Sequence, residues 1–464
     1  MGSTRQLSEF VSTVKFDDLP EKVVEQSKIA IIDCVGNIIG GSRFPLMKPF
    51  IDLSLENGGG SKCATLFGAR KKVSIPFAAF GNCTQETLLD FSDSIQSPSR
   101  RMPIWPAALA VPAAMAAIEA KSASGRDLLT STVAGYECAS RIIKSMDMSK
   151  EGANELQGAT TSLFAAVASA GRALALNPDQ MTSAIGMAGI YTPVSAGYKW
   201  WGDTGLIPRK DIKQGWGWMC FTGSFAAVSA SKGLEMTQEN NILDGAKGLW
   251  RMLGMDSFNE ESLTKDLGLK YHIEEFATKK LPGCIYTHSS IVGATELVAE
   301  HSIDLSKVER IDIITNSAEN VGFDEPDPQN LSGKQFNVPY QVSAALTAGS
   351  PGPNWYSDEV CSLPLRRFLA ERISLSFDDE CEAALRDNRA RMCKIRIMMN
   401  SGEIYLAKVD DAPRIRTKDE VKTKFLTTVS QVVPEGRGEE ILKEIDSLPE
   451  RENIDSLVAL IAST

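Results

Sequence analysis

Apolar residues recur at helical spacing through most of the first 265 positions. After Leu19-Pro20-Glu21, the residues Val23, Val24, Ser27, Ile31, Cys34, Val35 and Ile38 form a broad stripe that Gly40-Gly41 ends. An early Pro followed by an acid suits a first helical turn, and the width of the stripe predicts a buried helix. The same spacing predicts helices over 106–120, 126–145, 158–175, 178–190 and 220–233, where frequent Ala, Gly and Ser let helix axes approach closely. The pattern changes after about residue 268. Strand-like alternation runs through VERIDIIT (308–315), RISLSF (372–377) and KIRIMMNSGEIYLAKV (394–409), the last with Asn400-Ser401-Gly402-Glu403 as turn residues. Helical stretches at 288–301 and 336–348 lie among these strands, and 416–464 is helical again. Short terminal helices need a partner for their apolar faces, so they are expected to pack back on the first body. The expected fold is mainly α: a large all-helical domain from 1–267 and 410–464, and a smaller α+β lid domain from 268–409.

A chain of 464 residues suits two domains. A net charge of −10 argues against a broad nucleic-acid surface, which needs clustered Lys and Arg. The N-terminal segment lacks the apolar core of a signal peptide and no run of about 18 apolar residues occurs, so neither membrane association nor export is expected and a cytoplasmic location is. The cysteines at 34, 63, 83, 138, 220, 284, 361, 381 and 393 include no CxxC pair, which fits mostly buried free thiols in a reducing compartment. His272, His288 and His301 form no metal-ligand motif, and GxGxxG, GxxxxGK[ST] and GxSxG are all missing. These spacings leave no sequence basis for a transition-metal, dinucleotide, P-loop or α/β-hydrolase site.

One stretch, LLDFSDSIQSPSRRMPIWPAALA at 88–110, places two aspartates three apart before two arginines and a Pro/Trp entry into a helix. Helix-end and Asx-turn chemistry would use the same residues. A wider pattern decides how to read it. DLPEKV with IIDCVGNIIGG (18–41), TLLDFSD (87–93), PAALA (106–110), SGRDLL with GYECASR (124–141), KDIKQGW (210–216), KKLPGCIYTHSSI (279–291), FNVPYQVSAAL (336–346) and KTKF (422–425) follow one another in an order that resembles the MmgE/PrpD family. Known activities of that family include 2-methylcitrate dehydratase, cis-aconitate decarboxylase and iminodisuccinate epimerase.

The resemblance implies a homodimer with its site in a cleft between the two domains. It also implies proton removal or delivery beside a carboxylate of a small di- or tricarboxylate, with no metal or organic cofactor. Such chemistry needs cations for the carboxylates and an acid/base pair at the reacting carbon. By motif match, Asp90 is the family's functional aspartate and Ser94 stands for a hydroxyl residue that donates to substrate. Lys279 matches the lid lysine, Tyr340 a site tyrosine, and Lys210 the helical-domain cation, with Lys213 as the alternative. The family's catalytic histidines are replaced: Ser99 or Arg100, followed by Arg101, occupies one position, Leu156-Gln157 another, and Cys284 a third. Arg stays protonated and Ser, Gln and Leu do not titrate usefully, so a histidine mechanism does not carry over unchanged.

The resulting expectation is a cofactor-independent lyase or isomerase. Lys210, Lys279 and Arg100 would hold carboxylate or enolate charge, while Asp90, Tyr340, His288 or Cys284 would move protons. Cys284 would do so if Lys279 or Lys280 lowers its pKa. Trp105, Trp200, Trp201, Trp216 and Trp218 lie in or beside segments that approach the family's cleft. If two of them face it, the pocket suits a bulkier, pathway-specific substrate of secondary metabolism. A third reading is a non-catalytic homologue that acts as a binding protein.

Overall fold

The stripe near the N-terminus becomes helix α1, Glu21–Ser42, in a computed structural model that describes residues 2–61, 63–95, 103–147, 159–192, 215–236, 242–244, 246–317, 323–325 and 327–463. Every residue from Ser27 to Gly41 is buried, as a helix apolar on most sides requires. Gly40-Gly41 lies at its end, with Ser42 as the last helical residue. A Cβ on Gly41 would stand 2.1 Å from the carbonyl oxygen of Gln85 in α2, Ile75–Thr87. That glycine therefore also serves close helix packing.

The helical body continues with α3 (Pro106–Lys121), α4 (Gly125–Ser145), α5 (Ala159–Ala173), α6 (Pro178–Tyr191) and α7 (Trp216–Ser231). α3, α4 and α7 all pack on α5, and α7 also packs on α2. In α4, Ser124 and Asp127 form a capping box that satisfies two of the N-terminal backbone donors. α7 begins at Trp216, four residues before its apolar spacing suggests, so the aromatic cluster around Trp216 and Trp218 is helical.

The smaller α+β part, expected from the sequence to act as a lid, contains α8 (His288–His301), α9 (Val338–Ala348) and strands that follow β1 (Thr278–Lys279): β2 (Val308–Thr315), β3 (Ile373–Phe377), β4 (Cys393–Met399) and β5 (Ile404–Val409). Their sheet order is β3-β2-β4-β5, parallel between β2 and β3 and antiparallel elsewhere. The alternation in the sequence located all four. α9 starts at Val338 because Asn337 caps it, accepting from the Tyr340 amide at 2.7 Å, with Pro339 inside the first turn.

The chain returns through β6 (Arg414–Ile415), which pairs antiparallel with β1 so that Arg414 faces Lys279 and Ile415 faces Thr278. α10 (Lys418–Val429), opened by a Thr417/Glu420 capping box, and α11 (Arg437–Asp446) then pack against α1. One hydrophobic core collects residues between Leu7 and Phe276 together with Ile415 to Ile461, and a second runs from Leu281 to Met399. Leu89 and Phe91 belong to the second core although α2, just before them, belongs to the first. The loop after α2 therefore bridges the two bodies. The fold is mainly α with a smaller α+β part, and no single described helix is long and apolar enough to cross a membrane.

Candidate active site

Every residue from 90 to 93 is buried, and each is held by a different element. Asp90 adopts a left-handed backbone conformation (φ +49°), uncommon outside glycine and frequent where a site fixes a side chain. Its carbonyl and its Oδ1 each accept from Lys279 Nζ at 2.7 Å, and the third proton of that ammonium goes to the Gly283 carbonyl at 3.0 Å. Both side chains are nearly excluded from solvent. The backbone oxygens add hydrogen bonds to the Coulomb attraction of this buried pair, which offsets part of the cost of taking it out of water.

The turn that carries Gly283 interlocks with the aspartate loop. Gly283 N donates to Leu89 O at 3.0 Å, Cys284 N to Gln335 O at 2.9 Å, and Gln335 Nε2 to Leu88 O at 2.7 Å. Gly283 has φ +97°, and a Cβ there would meet Gln341 Nε2 at 2.5 Å and both Gln335 O and the Tyr356 hydroxyl at 3.0 Å. Gly283→Ala is accordingly expected to cost about 2 kcal/mol or more, through left-handed strain and crowding together. Chemical denaturation monitored at equilibrium checks this, and the cost should exceed that of Gly402→Ala, where φ is +91° but nothing stands within 4 Å.

Three other predicted residues adjoin this pair. Cys284 is buried. His288 is fully buried at the start of α8, and among the described residues neither ring nitrogen has a hydrogen-bond partner of ordinary geometry. Burial, helped by the charges of Lys279, Arg391 and Arg414, holds its imidazole well below the usual histidine pKa, against the Gly283 carbonyl. It is a neutral ring at physiological pH. Ser94 is half-buried and pairs with Ala277 through both backbone bonds, at 2.9 and 3.1 Å, one residue before β1.

Tyr340 takes another direction. Its hydroxyl meets Trp355 O at 2.7 Å and Cys361 Sγ at 3.1 Å within the lid core. The tyrosine whose hydroxyl adjoins the Gly283 turn is Tyr356, bonded to Gln341 Nε2 at 2.8 Å. Burial pushes its pKa up strongly, opposed by the Gln341 bond and reinforced by the charges of Asp90 and Cys284, so it stays protonated. Sequence reasoning missed Tyr356, which ends a short 3-10 turn, Pro353–Tyr356, without periodicity to mark it.

Of the remaining expectations, Arg100, Arg101, Lys210, Lys213 and Trp201, with Ser99, Leu156, Gln157 and Trp200, lie outside the described residues. Trp216 is buried in the body core with its ring 4.7 Å from that of half-buried Trp105, whereas Trp218 is half exposed against Phe80 and Phe221. Among the described residues, no group of three or more His, Cys, Asp or Glu could hold a metal ion.

Beneath the loop sits a polar layer that the sequence reading also missed. Ser92 Oγ donates to Glu86 Oε2 at 2.9 Å, while Asn37 Nδ2 donates to Glu86 Oε1 at 3.0 Å. Asp93 accepts from the Tyr136 hydroxyl at 2.6 Å and from the Ala107 amide, at the start of α3, at 3.3 Å. Burial, partly offset by these hydrogen bonds and reinforced by the charge of Asp33, pushes Glu86 up to about 8 and Asp93 to about 7.

Residues 5–261 match the MmgE/PrpD N-terminal domain and residues 281–449 match the MmgE/PrpD C-terminal domain. The chain belongs to the MmgE/PrpD family. The seam between the two matched regions is the segment that holds Lys279, and the N-terminal region supplies Asp90. Among curated relatives, this MmgE/PrpD chain is 23% identical over 489 residues to a cis-aconitate decarboxylase of Aspergillus terreus strain NIH 2624, covering 99% of this chain and 96% of the relative. It is 22% identical over 493 residues to the cis-aconitate decarboxylase-like protein oryM of Aspergillus oryzae, covering 99% and 97%.

Proposed function

We propose that this protein is a cofactor-independent lyase that moves a proton beside a carboxylate of a small organic acid, with loss of carbon dioxide or water. The observation that carries this reading is the buried Asp90–Lys279 pair, an aspartate of the N-terminal matched region and a lysine of the seam that follows it, locked at 2.7 Å in a loop with left-handed backbone. The names of the relatives favour decarboxylation of a cis-aconitate-like acid.

Lys279 donates to the carbonyl and Oδ1 of Asp90 and to the carbonyl of Gly283, so its task is to fix and charge-balance Asp90 and to present positive charge to an enolate. Asp90 is then the proton carrier. Tyr356, protonated throughout, supplies a hydrogen-bond donor, and neutral His288 forms part of the wall rather than a cationic acid. Ser94 and Lys210 or Lys213 are assigned to the substrate through the motif match, and Arg100 and Arg101 to its carboxylates as cations that stand where the family has a histidine.

Thermal stabilisation and turnover across cis-aconitate, 2-methylcitrate and iminodisuccinate test the reading. Stabilisation with loss of carbon dioxide or water from any member supports it; no effect from any of them counts against it and favours a bulkier substrate or the binding-protein alternative. The two tyrosines separate by the same assay. Tyr356→Phe should lower kcat about tenfold or more with little change in Tm, whereas Tyr340→Phe should lower Tm and leave kcat within about twofold.

A further inference from the structure

Lys424 is buried in α10, on the body side of the site, and makes no contact that the proposed chemistry uses. Its ammonium donates to Asp33 Oδ1 at 2.5 Å, to the Phe91 carbonyl at 2.6 Å and to Thr278 Oγ1 at 3.3 Å. It also stands 3.7 Å from the centre of the Phe91 ring. Thr278 Oγ1 in turn donates to Asp33 Oδ2 at 2.5 Å. Asp33, Phe91 and Thr278 are all buried, so these bonds have no water to exchange with.

The sequence positions give the arrangement its meaning. Phe91 directly follows Asp90, and Thr278 directly precedes Lys279. One ammonium therefore ties the backbone next to the aspartate to the side chain next to the lysine, with Asp33 of α1 as the fixed post. We propose that Lys424 is a positioning residue that sets the Asp90–Lys279 geometry through residues 91 and 278, and that Thr278 is its relay. The neighbouring Lys422 offers a contrast, since it lies at the surface side of the same helix and pairs with Asp446 at 2.7 Å. The inference rests on Asp90 and Lys279 being the reacting pair.

Removing Lys424 alone would strand the Asp33 charge, so the informative variant is Lys424→Met with Asp33→Asn, beside Thr278→Val and Thr278→Ser. The first readout needs no substrate: hydrogen–deuterium exchange of peptides covering 88–95 and 277–281. The expected result is exchange about tenfold or more faster there in the double variant, with the lid strands 393–409 unchanged. Thr278→Val should show a smaller increase confined to 277–281 and its neighbours, and Thr278→Ser should restore wild-type exchange. The second readout uses cis-aconitate: kcat falls about tenfold or more in the double variant while KM stays within about twofold. Unchanged exchange at 88–95 in a folded variant overturns the proposal, as does an increase spread evenly over the protein. If the double variant does not fold, the Thr278 pair decides by the same criteria. If the wild type leaves cis-aconitate untouched, the functional reading loses support while the exchange arm still decides the positioning role.

Discussion

Lys279→Met is expected to lower turnover of any carboxylate that the wild type processes by about a thousandfold or more, and to destabilise the protein by about 3–5 kcal/mol. The first effect follows from losing the charge that balances Asp90 and faces the developing anion. The second follows from geometry. Asp90 is 4% exposed and its carboxylate would be left buried without the cation that now lies at 2.7 Å. Adding Asp90→Asn should recover much of the stability, because the stranded charge is gone, while turnover stays lost. Denaturation midpoints and steady-state kinetics on the single and double variants separate the two effects. Recovery of activity together with stability would show that the pair only holds the fold.

The polar layer under the loop makes stability depend on pH in a predictable direction. In the unfolded chain Glu86 titrates near its ordinary value of 4.5, whereas in the fold burial pushes it up to about 8. Below pH 4.5 both states carry the proton. Between 4.5 and 8 the unfolded state releases it while the folded state keeps it, so stability falls as pH rises through that window and is fully lost from this source above 8. Asp93, at about 7, contributes in the same sense over a lower window. Glu86→Gln keeps the shape and removes the titration, so it should raise Tm by roughly 2–5 °C at pH 8.5 and by little at pH 5. A difference independent of pH would contradict the account of Glu86.

Periodicity was enough to locate the helical body, the four-stranded sheet and the return of the terminal helices, because these depend on which faces are apolar. The site was legible only where a motif named it. DFSD and KKLPGC pointed to Asp90 and Lys279, yet nothing in the local pattern signals the left-handed turn at Asp90 or the bonding of the lysine to a carbonyl 4 residues on. Tyr340 drew attention through the motif match of FNVPYQVSAAL, while Tyr356 sits in a Gly/Pro-rich turn that only tertiary packing brings to Gly283. The buried acids carried a signal that went unread. A helix apolar on nearly all sides, IIDCVGNII, contains Asp33 and Asn37, and polar groups inside such a helix must find partners. Those partners are Lys424, Thr278 and Glu86.

The most direct test of the central claim is NMR in deuterated buffer on cis-aconitate, 2-methylcitrate and iminodisuccinate, with the wild type and the Lys279→Met/Asp90→Asn double variant side by side. The account predicts that the wild type consumes at least one of these acids, with deuterium placed on the carbon beside a carboxylate where carbon dioxide leaves and a new carbon–carbon double bond without added deuterium where water leaves, and that the folded double variant does neither. Equal conversion by both proteins, or none by the wild type, would contradict it.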